Sequence, residues 1–312
     1  MTIAASLLNR HVSRVVAHPG EVRAFLDHDA AYGAAALCLL EQVPELCVGH
    51  LVVNRAGQDR ALVLVVRDAP APRVFTMGDA EAVYYGLASW ERASAATPQG
   101  PTALVERNER SHAGTLPAAR AALTMEPGHV RHIARLYRLG EQRALLRLVA
   151  TPETFRPATL QHRAIQLGRG HLPALARLYA LAGNPVLEEG MLDSGAYYGI
   201  EEHGMLVAAA GTHLLAMGAG IAIVGNVFTH PDFRGRGYAQ AVTGAVTAHL
   251  LEYIRGHGAG TRVWVALDAM AGNTPAVAAY QHLGYQVRSH FIEADGWRRG
   301  LSRWLARAAD RA

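Results

Sequence analysis

Lysine is missing altogether from this 312-residue chain, whose 30 basic side chains are all arginine. A nucleoside-triphosphate loop ends in Gly-Lys-Ser/Thr, so a chain without lysine cannot supply one wherever its glycines cluster. Cysteine is almost missing too, with only Cys38 and Cys47. Two thiols cannot build a disulfide framework, and neither has the neighbours of a metal site, so no metal is expected. No stretch approaches 18 uninterrupted apolar residues, which argues against a membrane-spanning helix. An excess of one charge is lacking as well: 30 basic against 26 acidic residues leave a formal net charge of +4. No basic patch is interleaved with aromatics, so nucleic acid is not an expected partner, and the Arg-rich C-terminal stretch has too small an apolar face for a membrane to be one. The N-terminal "MTIAASLLNRHVSRVV" has a short apolar portion followed by Arg10 and Arg14. It reads as an ordinary first helix rather than a signal peptide, and the cytoplasm is the expected location.

What the chain does have is apolar surface. Half of its residues are hydrophobic, enough for two domains with cores of their own. In the first part, "GAAALCLLEQV" is helical by composition, and "GHLVVNR", "ALVLVVRD" and "PRVFTM" are short β-rich runs. "DAEAVYYGLASWERA" then recovers helical spacing. Composition shifts over Ala150 to Arg163 mark an inter-domain linker. The expected division is an N-terminal α/β domain over 1–150, a second domain over 158–295 and a basic helix over 296–312. That last helix would dock on the core or on a second copy of the chain, making a homodimer a candidate assembly.

The second domain is more regular. "RAIQLGR" suits a strand, "HLPALARLYALAG" a helix closed by Gly183, and "VLEEGMLDSG" a short second helix. "AYYGIEE", the turn "HG" and "MLVAAAGTHLL" form a hairpin, and "IAIVGNVFT" and "RVWVALDAM" are further strands. Between these two strands, Ala239, Val242, Val246, Leu250, Tyr253 and Ile254 recur at the helical period, ending at Gly256 or Gly258. The order β-α-α-β-β-β-α-β-α-β is an α/β layered fold, not an alternating wind.

The richest junction is "VFTHPDFRGRGYAQAV", Val227 to Val242. Pro231 prevents the strand from continuing, and Gly235 and Gly237 lead into the helix. A helix start carries unpaired N–H groups and a partial positive charge, and glycines let the backbone approach a phosphate. Arg234 and Arg236 add full charges. A glycine-rich turn with solvated arginines is the bland alternative. A dinucleotide fingerprint needs a third glycine, which "GRGYAQ" lacks.

This stretch resembles the signature of the GNAT acyltransferase superfamily, whose acyl-CoA loop reads Arg/Gln-x-x-Gly-x-Gly/Ala; Arg234, Gly237 and Ala239 stand at the matching positions. Downstream, "NTPAVAAYQHLGY" resembles the superfamily's later motif, with Asn273, Ala276, Tyr280, Gly284 and Tyr285 matching. The resemblance covers roughly Arg163 to Ile292 and implies a mixed, mostly antiparallel sheet flanked by helices. It implies acetyl-CoA as donor, its pantetheine arm beside Val227, Phe228 and Thr229. Its pyrophosphate would meet Arg234, Gly235, Arg236, Gly237, Tyr238 and Ala239. Asn273 would contact the cofactor, and Tyr280 would act as general acid toward the departing thiolate. A phenol near pKa 10 stays protonated beside a thiol near 8.5.

The nucleophile implied is an amine on a small molecule or peptide. A free amine with a pKa near 10.4 is scarce at neutral pH, so a base or a water chain must take its proton. Glu201 and Glu202, at the hairpin end, are candidate bases, as are Glu188, Glu189 and Asp193; His230 and Asn226 lie near the same strand. Residues 1–150 lack a matching loop and read either as a degenerate GNAT-like half or as an unrelated cap. The competing function is an acyl-CoA-binding sensor or scaffold without turnover.

Overall fold

The computed structural model describes residues 11–16, 18–67, 69, 71–95, 120–157, 162–183, 192, 196–258, 260 and 262–299. In chain order its first elements are β1 (His11–Val16), α1 (Pro19–Leu26), α2 (Ala34–Gln42), β2 (Cys47–Asn54), β3 (Asp59–Val66), β4 (Arg73–Gly78) and α3 (Ala80–Ala95). There follow β5 (Arg120–Met125), α4 (Val130–Ile133), β6 (Tyr137–Leu139), β7 (Arg143–Ala150), β8 (Ile165–Gln166), α5 (Leu172–Ala180), β9 (Tyr197–Glu202) and β10 (Met205–Ala216). The last are β11 (Ile221–Thr229), α6 (Tyr238–His257), β12 (Trp264–Met270), α7 (Thr274–His282) and β13 (Gln286–Arg298).

Two compact units result: Met1–Ala144 with His290–Ala312, and Leu145–Ser289. The second unit thus begins inside β7, upstream of the linker segment, and β13 contributes its residues from His290 onward to the first. Gly296 to Arg298 are strand, a correction to the basic helix expected from 296; residues 300–312 lie outside the described ones. Among the described residues no helix is long and apolar enough to cross a membrane.

In the first unit, β1, β2, β3 and β4 pair antiparallel in sequence order, β4 pairs parallel with β5, and β5 pairs antiparallel with β13. His11–Val16 is a strand where the sequence suggested a helix. Its three valines suit a strand, and β2 offers an edge on which they pair. The run Ala61–Val66 is buried throughout, because Ala61, Val63 and Val65 pack with Ala82, Val83 and Leu87 of α3 while the alternate residues face the other way. The end of β4 is tied down by polar side chains. Buried His129 bonds the Thr76 hydroxyl at 3.0 Å and the Gly78 carbonyl at 2.8 Å. Glu126 accepts from the Gly78 N–H at 2.8 Å, and the Tyr32 hydroxyl donates to the Thr76 carbonyl at 2.7 Å.

In the second unit the strand order is β7-β12-β11-β10-β9-β8, antiparallel except for the parallel β11–β12 pair. The β9–β10 hairpin turns on His203 and Gly204, both with positive φ (52° and 76°), as a two-residue primed turn requires. Helix α6 buries Tyr238, Val242, Val246, Leu250 and Ile254 at four-residue steps against β10 and β11. Ala239 is only half-buried and Tyr253 is exposed, so the apolar stripe is turned slightly from the expected one. Gly258 caps the helix, donating to the Ile254 carbonyl at 2.7 Å. The short helix expected over "VLEEGMLDSG" lies outside the described residues apart from Leu192.

Candidate active site

Strand β11 is where the second unit departs from regular pairing. Its parallel partnership with β12 runs from Ile221↔Trp264 to Val224↔Leu267 and stops. Beyond that point β11 is held only by β10, so Gly225–Thr229 have no β12 neighbour. The β10 register also shifts: Gly211 pairs with Gly225, but Ala209 pairs with Phe228. Three steps on β11 therefore oppose two on β10, a bulge centred on Asn226, whose φ is +53°.

The bulge changes which side chains face which layer. Ala222, Val224 and then Val227 join the core under α6, while Phe228 packs with Tyr179 and Tyr197 on the α5 side. Asn226 is held from that side. The Tyr179 hydroxyl donates to its carbonyl at 2.6 Å, and its side-chain amide donates to the Tyr197 hydroxyl at 2.8 Å. Burial, aided by the neighbouring Tyr197, pushes the Tyr179 phenol well above its ordinary pKa, so it remains a donor. A Cβ at Gly211 would overlap the Tyr197 ring, which explains glycine there. The available signal was the Gly-Asn pair inside a strand, since asparagine tolerates the left-handed region.

After β11 the chain enters a short 3-10 turn, Pro231–Phe233. His230 starts it, its N–H donating to Val207 and its Nδ1 accepting from the Asp232 N–H at 3.3 Å; that is a turn-forming role. Gly235 and Gly237 take φ of +76° and +80°, and Gly237 is the N-cap of α6 without a capping side chain. The first-turn N–H groups of α6 therefore face outward as an anion cradle. Arg234 donates to the Thr229 carbonyl at 3.3 Å and lies 5.8 Å from the Phe228 ring. Arg236 donates to Asp232 and sits over Phe233 at 5.0 Å.

The open side of β11, this loop and α7 enclose a cavity of about 660 Å³. Of the positions the sequence singled out for cofactor contact, Val227, Phe228, Thr229, Arg234, Gly235, Gly237, Tyr238, Ala239, Asn273 and Tyr280 line it; Arg236 does not. Phe233, Gln240, Pro275, Ala276 and Ala279 complete the wall. Asn273 caps α7, its side chain accepting from the Ala276 N–H at 3.3 Å.

The two motif tyrosines differ. Tyr285 is fully buried and bonded to the Thr247 hydroxyl at 2.7 Å, a packing role. Tyr280 lines the cavity, and its hydroxyl makes no hydrogen bond among the described residues. Burial raises its pKa, so it holds a transferable proton at neutral pH.

Glu201 does not reach this cavity. It is exposed on β9, paired with Leu206, and β9 is separated from β11 by β10, roughly 10 Å at two strand spacings. Its neighbour Glu202 accepts from the Tyr238 hydroxyl at 2.8 Å, a bond that raises the Tyr238 pKa. Glu188, Glu189 and Asp193 lie outside the described residues. Among the described residues no group of three metal-ligating side chains comes together. Sequence reasoning missed the Arg147–Asp268 ion pair, whose members stand 121 positions apart.

Residues 173–285 match the model of the Acetyltransferase (GNAT) family. The second unit carries a GNAT domain. The fold of the whole chain is similar to that of a GCN5-related N-acetyltransferase from Sphaerobacter thermophilus, at 20% identity over 93% of this chain and 96% of that one, with a TM-score of 0.58. It is also similar to a Drosophila protein, at 16% identity over 91% and 98% of the two chains, with a TM-score of 0.53. No curated protein matches the sequence. The GNAT family is one of acyl-transferring enzymes, and the β11 bulge, glycine loop and α7 tyrosine all fall within the matched span.

Proposed function

We propose that the protein is an N-acetyltransferase that moves an acetyl group from acetyl-CoA to an amine. The observation that carries this is the meeting, in one cavity, of an unpaired strand edge, a helix N-terminus with two left-handed glycines, and a buried tyrosine with a free hydroxyl. Acetyl-CoA supplies a thioester-activated acetyl group when bound. The N–H groups from Arg234 to Ala239 meet its pyrophosphate, and the backbone of Val227 to Thr229 pairs with its pantetheine amides. Each charge–dipole contact at such a helix start is worth ~0.3–1 kcal/mol, so several together make a usable site. The amine nitrogen forms a bond to the acetyl carbon as the carbon–sulfur bond breaks. Tyr280 gives its proton to the sulfur and regains one from solvent, to which the amine's proton is released.

The first unit fits a degenerate copy of the second. In both, three strands pair antiparallel, a fourth joins parallel, and a helix connects the parallel pair. Yet β4 reaches α3 through Asp79 alone, leaving no room for a phosphate loop, and Glu126 and His129 occupy the backbone groups at its end. The reading therefore assigns one donor site, in the second unit, and a cytoplasmic setting where acetyl-CoA is made and used.

Thiol release from acetyl-CoA across a diverse amine panel tests the reading. Release with one or more amines is expected. Binding of acetyl-CoA without release for any amine would instead favour a sensor or scaffold.

A further inference from the structure

Strand β12 alternates its side chains, and Val265, Leu267 and Ala269 enter the core beneath α6. Asp268 therefore stands on the opposite face of the sheet, the α5 side. On β7, Leu146, Leu148 and Ala150 enter the same core, so Arg147 also stands on the α5 side. The two are register partners. Arg147 Nε donates to Asp268 Oδ1 and its terminal nitrogen to Oδ2, both at 2.7 Å.

The pair is asymmetric. The Arg147 side chain is 3% exposed and that of Asp268 is 27% exposed. A fork-to-fork pair uses one lone pair on each carboxylate oxygen, and each oxygen keeps another. The open edge of Asp268 can thus accept further hydrogen bonds while Arg147 fixes its orientation. The location matters as much. Asp268 is the first residue of β12 beyond the last β11 pair, Val224↔Leu267. Across the opening, and on the same face, stand Phe228 and the Asn226 side chain. Tyr280 packs with the core on the other face.

We propose that Asp268, oriented by Arg147, is the residue that selects the acceptor, its open carboxylate edge binding a cationic amine on the face of the β11–β12 gap opposite Tyr280. This rests on the acetyl-transfer reading. With the departing thiol and its acid on one face, the amine, once the ammonium has passed one proton to solvent, has the other face from which to reach the acetyl carbon. A carboxylate at that entrance attracts alkylammonium groups through full charge and offers a neutral amine only a weaker hydrogen bond. Phe228 adds an apolar surface for the stem that carries the amine.

The test compares alkylamines with neutral arylamines of similar size, in wild type, Asp268→Asn and Asp268→Glu. Wild type should favour the alkylamines. Asp268→Asn should raise their KM about 10- to 100-fold, the loss expected for one charged hydrogen bond. Stabilisation by acetyl-CoA should be unchanged, and Asp268→Glu should recover part of the loss. An Asp268→Asn protein that binds acetyl-CoA and keeps the wild-type KM for alkylamines would overturn the inference alone. So would a wild type that acylates arylamines as readily as alkylamines, a result that needs no variant to fold. No release with any amine would overturn both the inference and the acetyl-transfer reading.

Discussion

The Tyr179 hydroxyl donates to the Asn226 carbonyl across 2.6 Å, tying helix α5 to strand β11 over 47 residues of sequence. The bond holds the one residue of β11 with positive φ, and so holds the register shift that sends Val227 to the core under α6 and Phe228 to Tyr179 and Tyr197 on the α5 side. Tyr179→Phe leaves the Asn226 carbonyl without this donor, a loss of about 1–2 kcal/mol. Global stability measured by urea unfolding should fall by that amount, with kcat/KM falling about tenfold. Asn226→Gly should keep the bulge, because glycine enters the left-handed region freely, whereas Asn226→Val should lose it. Steady-state kinetics on the three variants decide the matter: equal activity in Asn226→Val would remove the bulge from the mechanism.

What the sequence shows of this site is what lies close together along the chain. Pro231, Gly235 and Gly237 announce a strand end and a helix start because each restricts or frees its own backbone. Asn273, Pro275 and Gly284 mark the limits of α7 in the same local way. The bulge is hidden, because a one-residue register shift depends on the partner strand and leaves a continuous apolar run unchanged. Arg147 and Asp268 are hidden for a related reason: β7 and β12 become neighbours only in the sheet. The N-terminal strand is hidden too, because a short valine-rich run has no periodicity long enough to tell helix from strand until β2 provides an edge.

Tyr280→Phe removes the proton offered to the leaving sulfur and leaves the ring in its place. General acid catalysis contributes ~10²–10⁴-fold, so kcat should fall by at least about 10² while acetyl-CoA affinity stays near wild type. Burial raises the phenol pKa, so the wild-type rate should show no loss from Tyr280 ionisation at any pH up to the ordinary tyrosine range. A pH–rate profile with a titration near neutrality that disappears in Tyr280→Phe would contradict this.

Gly237→Ala tests the anion cradle. A Cβ at φ +80° costs about 1–2 kcal/mol in the left-handed region, and the loop can relieve it only by turning its N–H groups. Acetyl-CoA affinity, read by calorimetry, should weaken about tenfold. Gly235→Ala has open space around its Cβ but the same strain, with φ of +76°, and should behave similarly. Gly20→Ala, also in open space but at an ordinary φ, should leave binding unchanged.

His50 makes the first unit sensitive to acid. It is 4% exposed on β2, and burial lowers its pKa from 6.5 to about 4. Between those values the unfolded chain binds a proton that the folded chain does not, so stability falls as pH falls through that window. From pH 7 to pH 5 the loss is about 2 kcal/mol, approaching about 3 kcal/mol near pH 4, at 1.36 kcal/mol per pH unit. His50→Leu removes the titrating group and keeps an apolar side chain in the core. Urea unfolding at pH 7 and pH 5 should show the difference between the two pH values shrink by about 2 kcal/mol in the variant. An unchanged pH dependence would mean that the imidazole takes up its proton in the folded state, and that β2 yields to admit the charge.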